Sequence, residues 1–152
     1  MFGSSDDKTT LNTLLATLND SVNGYRDSAE NIDNQQFKQM FLECAEERSR
    51  AAEDLRAEVR RLGGDPDDDG SLMGKTHQAF LDLKAAVTGR DDKAIINEVE
   101  RGEDYLKEKF EAALQSDKLA GESRSVVERA FASVRTGHDR IAQIKHSMEA
   151  GA

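Results

Sequence analysis

The stretch FKQMFLECAEERSRAAEDLRAEVRRL, Phe37 to Leu62, decides the fold. It contains no Gly or Pro over about seven helical turns. Its apolar residues fall at Phe37, Phe41, Cys44, Ala51, Leu55, Val59 and Leu62. That three-four alternation makes one stripe on a helix, facing other helices. Midway along, where the rhythm asks for a hydrophobe, the chain supplies Glu47 and Arg48, flanked by Glu43 and Arg50. The middle of a helix bundle is where charge is most costly and where metal sites are built, so function turns on what these residues face.

Working outward, Thr9 or Thr10 can cap a preceding helix with Leu11, Leu15, Leu18, Val22, Tyr25, Ala29 and Ile32 on one seam. Gly24 inside it costs about 1 kcal/mol relative to Ala and signals a close helix approach or a group needing room. Asp33 with Gln36 reads as a capping box, and so short a connection makes the two helices antiparallel neighbours. After Phe37–Leu62, Gly63-Gly64 and the acids from Asp65 to Gly70 form a polar turn. The acids have the opening spacing of a calcium loop, but Thr76 stands where a bidentate Glu is required.

Leu72 to Val87, with Met73, Phe80, Leu83 and Val87 inward, is expected to be a crossover helix, and His77 on it makes a polar contact rather than a ligand. Asp91 or Asp92 then caps a third long helix with Ile95 or Ile96, Val99, Leu106, Phe110 and Leu114 as its stripe, interrupted at Gly102 and Glu103. Ser125 with Glu128 boxes a fourth, carrying Val127, Phe131, Val134, Ile141, Ile144 and Met148, with His138 after Val134. The expected architecture is all-α: a flexible terminus over 1–9, then one bundle domain over 10–149.

Composition narrows the function. With 152 residues, 34% charged and a net charge of −9, the chain lacks the clustered Lys and Arg that nucleic acid or an anionic membrane rewards. There is no apolar run of spanning length, so a cytoplasmic location is expected. The lone Cys44 excludes an internal disulfide and reads as packing. His146 suits the negative end of a helix dipole. No phosphate loop, nucleophile elbow or zinc-type spacing occurs, so no enzyme activity is expected.

Folding each hairpin about its turn aligns the polar interruptions. Glu47 comes opposite Asp20, Glu103 opposite Arg135, and Glu100 near His138. A charged layer of Asp20, Tyr25, Glu47, Arg48, Arg50, Glu100, Glu103, Arg135 and His138 is therefore expected at mid-height.

The segments DSVNGYRDSAE (Asp20–Glu30), LGGDP (Leu62–Pro66), ERGED (Glu100–Asp104) and GHDRI (Gly137–Ile141) carry a resemblance to the ferritin-like superfamily, and to a bacterial family within it of uncharacterised four-helix-bundle proteins catalogued as a domain of unknown function. The resemblance implies a ferritin-like antiparallel four-helix bundle with a long helical crossover between helices 2 and 3. Di-iron members of that superfamily take one carboxylate from each of two helices and a Glu-x-x-His from each of the other two. Matched to this chain, Asp20 and Glu100 or Glu103 stand for the carboxylates, while Glu47-x-x-Arg50 and Arg135-x-x-His138 replace the Glu-x-x-His pairs. Arginine has no lone pair to give, so a charged layer without metal or cofactor is the primary expectation, and a stress-related role is compatible with it. The alternative keeps iron or manganese on Asp20, Glu47, Glu100, Glu103 and His138, with an oxidase or iron-handling role. A third reading is an interaction module, pairing with a protein partner or as a homodimer through Phe2, Met40 or Tyr105.

Overall fold

The computed structural model describes residues 2–66 and 92–151, and the side chains of 7–66 and 92–147. The chain forms four helices there, α1 (Phe2–Asn31), α2 (Gln35–Arg61), α3 (Asp92–Gln115) and α4 (Gly121–Gly151). The expected crossover helix, His77, Asp91 and most of the calcium-like turn lie outside the described residues. No helix among the described residues is long and apolar enough to cross a membrane.

Three boundaries differ from expectation. α1 is already helical from Phe2, so neither Thr9 nor Thr10 caps it. Inside the helix, Thr13 Oγ1 donates to the Thr9 carbonyl at 3.0 Å and Thr17 Oγ1 to that of Thr13 at 2.9 Å. The early turns also have something to pack on: the Asn12 side-chain amide donates to the Asp65 carbonyl at 3.1 Å. At α2 the cap is Asn34 rather than Asp33, its side-chain oxygen accepting from the Phe37 amide at 3.1 Å. α4 starts at Gly121, which leaves Ser125 and Glu128 inside the helix, where Glu128 faces Arg124 instead of closing a capping box.

The end of α2 follows its glycines. Gly63, with φ +82°, donates to the Arg60 carbonyl and Gly64 to that of Val59, each at 2.9 Å, the Schellman pattern that a left-handed residue after the helix permits.

In cross-section α1 packs against α2 and α3, and α4 packs against the same two, which leaves α2 and α3 across a diagonal. The apolar interior is in two parts. One holds Leu11, Leu14, Leu15 and Leu18 of α1 with Leu55 and Val59 of α2, Leu106 and Phe110 of α3, and Val127 and Val134 of α4. Its far end is plugged by Leu119 from the α3–α4 turn. The other holds Val22, Tyr25 and Ile32 with Phe41, Cys44, Ile95, Ile96, Val99 and Ile141. Every helix leaves the first cluster and enters the second across a polar step, at Ser21, Arg48, Glu103 and Gly137. The start of α3 is fastened to the α1–α2 turn, because the Asp92 carboxylate accepts from the Asp33 and Asn34 amides at 2.9 and 3.0 Å.

Candidate functional site

The polar step is built around Arg48. It belongs to the buried stripe of α2, three residues before Ala51 and four after Cys44, so its side chain must enter the interior. It is among the largest fully buried side chains of the protein, 1% exposed. Glu103 holds the matching position on α3, four residues after Val99 and three before Leu106, and is 2% exposed. Their heads meet as a fork: Nη1 donates to Oε1 at 2.6 Å and Nη2 to Oε2 at 2.5 Å. Paired parallel bonds of this kind are the strongest carboxylate recognition a protein side chain makes. The pair spans the diagonal from α2 to α3.

The other two helices complete the shell. From α1, the Ser21 hydroxyl accepts from Arg48 Nη1 at 2.7 Å, and the Tyr25 ring lies 5.5 Å from the guanidinium carbon, within cation–π range. From α4, the Val134 carbonyl accepts from Nη2 at 3.4 Å. Gly137 makes room for the fork: a Cβ there would stand 2.4 Å from Arg48 Nη2 and 3.2 Å from Glu103 Oε2. One guanidinium therefore touches all four helices.

Charge in this step is fixed. Burial alone would pull the Arg48 guanidinium down, but the Glu103 carboxylate outweighs it and the group stays cationic. Burial first, and Glu103 second, hold the Tyr25 phenol well above its ordinary value. Its hydroxyl is buried with no hydrogen-bond partner at normal distance among the described residues. Cys44 is pushed up by burial, which removes the thiolate that reactivity requires.

Of the nine residues expected in this layer, Tyr25, Arg48 and Glu103 are brought together, and Asp20 is buried beside them in sequence, one step round α1 from Ser21. The rest lie outside it. Arg50 points to solvent and pairs with Glu46 along α2 at 2.8 Å, its side chain 72% exposed. Arg135 is exposed, lying over the Phe131 ring rather than opposite Glu103. Glu47 reaches outward to Arg140 at 3.8 Å, and Glu100 bonds Lys145 at 2.7 Å instead of approaching His138. His138 Nε2 meets Asp104 at 2.6 Å on the α3–α4 surface. The physical reason is rotation. Matching distances from a turn gives residues the same height, but each 100° step around the axis decides which of them faces inward.

Of the donor set Asp20, Glu47, Glu100, Glu103 and His138, Glu103 pairs with Arg48, Glu47 with Arg140, Glu100 with Lys145 and His138 with Asp104. Among the described residues no three His, Cys, Asp or Glu side chains are grouped to hold an ion. Both Glu103 oxygens accept from a guanidinium that keeps its proton. Of the proposed contact residues, Met40 packs on the second apolar cluster and Tyr105 is shielded by Lys109, 5.3 Å from its ring, while the side chain of Phe2 lies outside the described residues. The large hydrophobe left in water among the described residues is Leu42, 46% exposed.

Sequence reasoning missed two features. Gly137 fills a stripe position, three after Val134 and four before Ile141, and a residue without a side chain gives no hydrophobic signal there. Glu58 is buried at the far end of α2, accepting from Arg61 Nε at 2.7 Å and from the Ser123 hydroxyl of α4 at 2.7 Å. The bonds from Arg61, then that from Ser123, set against the cost of burial, hold its carboxyl below the usual range.

Residues 6–116 match the model of a domain of unknown function, DUF2383. The chain belongs to that family. The match takes in α1 to α3 and so includes Ser21, Tyr25, Arg48 and Glu103, whereas the Gly137 contribution of α4 lies beyond it. No curated protein matches this DUF2383 member.

Proposed function

We propose that the protein is a non-catalytic, ferritin-like bundle in which a salt bridge stands where metal-binding relatives of that superfamily hold two ions. The observation that carries this reading is the Arg48–Glu103 fork, buried at mid-height and reached by all four helices. A guanidinium supplies there, permanently, the positive charge that a metal would bring, and it uses up the carboxylate that would ligate one.

The ferritin-like topology is supported by how the 62–91 connection is tied. One end is held near the start of α1, through Asn12 and Asp65, and the other beyond its end, through Asp33 and Asp92. At about 1.5 Å per residue the intervening length of α1 is roughly 30 Å, so the two ends of the connection stand well apart along the bundle axis, as the ends of a long crossover do. The lone cysteine and the absence of basic clusters suit a cytoplasmic protein whose surface acids serve solubility.

Elemental analysis of protein purified without chelator tests the reading. The expected result is no iron or manganese in fixed ratio to protein, before or after incubation with either ion. One tightly held ion per chain, lost in His138→Ala or Glu103→Gln, would overturn it.

A further inference from the structure

On the face between α2 and α4, a cleft of about 410 Å³ is lined by Phe37, Arg140, Gln143, Ile144 and Ser147. This volume lies in the range of small-molecule sites, and the combination of apolar wall and a few polar groups is typical of them. Phe37 and Ile144 are half-buried, each packed inward on the second apolar cluster with its remaining surface on the cleft. They form a firm hydrocarbon wall.

Arg140 gives the cleft its polarity. A guanidinium offers five N–H donors, yet among the described residues Arg140 makes only two long contacts, to Cys44 Sγ at 3.7 Å and Glu47 at 3.8 Å. The contrast with Arg48, whose donors are taken up at 2.5 to 2.7 Å, is sharp. Arg140 is half-buried, its side chain 33% exposed. A cation with spare donors beside an apolar wall complements an anion that carries an apolar tail.

We propose that this cleft binds a small, free organic carboxylate, its carboxylate on Arg140 and its tail against Phe37 and Ile144, with Gln143 and Ser147 at the polar edge. The site is separate from the Arg48–Glu103 step and stands whether or not that reading holds.

Titration with 4-phenylbutyrate, followed by amide chemical shifts of the full chain, tests this. Saturable shifts are expected around Phe37 and from Arg140 to Ser147. Arg140→Gln should weaken the acid at least about tenfold, the consequence of losing a charge-assisted hydrogen bond. The same variant should leave the neutral 4-phenylbutanol within about twofold, because the apolar contacts remain. Ile144→Gln should weaken both ligands. Absence of saturable shifts at the cleft, an equal loss of acid and alcohol in Arg140→Gln, or binding to anionic vesicles without binding of the free acid would each overturn the proposal.

Discussion

Replacing Gly137 by Ala tests the buried step most sharply, because local propensity and tertiary packing predict opposite signs. In a helix interior Ala is favoured over Gly by about 1 kcal/mol. The added Cβ, however, would stand 2.4 Å from Arg48 Nη2 and 3.2 Å from Glu103 Oε2. A flexible side chain could swing away, but this one is tied to Glu103 by two bonds, to Ser21 by a third and to the Val134 carbonyl by a fourth. Making room means opening the fork, and leaving a buried charge without its partner costs about 3 to 5 kcal/mol. The net expectation is a loss of about 2 to 4 kcal/mol, or a melting temperature lower by roughly 5 to 15 °C for a chain of this size. With no Trp in the sequence, urea unfolding followed by far-ultraviolet circular dichroism is the suitable assay. In an Arg48→Leu/Glu103→Leu background the same Gly137→Ala change should become neutral or stabilising, since nothing charged is left to displace. A wild-type-background variant that equals or exceeds the parent in stability would refute the reasoning.

Two further outcomes follow from where charges sit. Arg50→Ala and Arg135→Ala should each change stability by less than about 0.5 kcal/mol, as exposed substitutions do, and a loss of several kcal/mol in the urea midpoint would mean that the exposed arginines belong to the buried layer after all. Glu58 has a folded pKa below its unfolded one, so its contribution is present above the ordinary carboxylate pKa and is lost as acid carries the pH down through the folded value. Glu58→Gln should therefore be less stable than the parent at pH 7, with the gap closing below about pH 4; a gap that widens on acidification would reverse the assignment.

Much of the fold was written in apolar spacing. The stripes on Phe37–Leu62 and on the other three long segments place the helices, and their shared interruption places the polar step at mid-height. What spacing could not supply was the choice among neighbours. Arg48 and Arg50 have the same chemistry, and only the count back to Ala51 and Leu55 puts the first inward and the second in water. Gly137 was illegible for a different reason, because its role lies in what it lacks. The Asp92 clamp was hidden by distance: it acts on backbone amides at Asp33 and Asn34, which carry no residue-specific signal. Capping patterns misled at Thr9, Asp33 and Ser125, where the same residue types bond backbone inside a helix or yield to a neighbour.

The buried fork contributes little to stability compared with an apolar pair of similar volume, so its presence calls for another account. Above and below it the four stripes are apolar alternations, mostly of Ala, Leu, Val and Ile, and such surfaces can slide by a turn at modest cost. The fork cannot. A one-turn slip of α2 against α3 would set the Arg48 head against Val99 or Leu106 and strand Glu103, a difference of several kcal/mol between the correct register and its nearest competitor. Because the same guanidinium also engages Ser21 and the Val134 carbonyl, that penalty extends to all four helices. Arg48→Leu/Glu103→Leu should accordingly unfold at the same or higher urea concentration than the parent, yet show broadened or doubled amide resonances on either side of mid-height. A double variant with one sharp set of resonances would assign the register to the apolar stripes and leave the fork without that role.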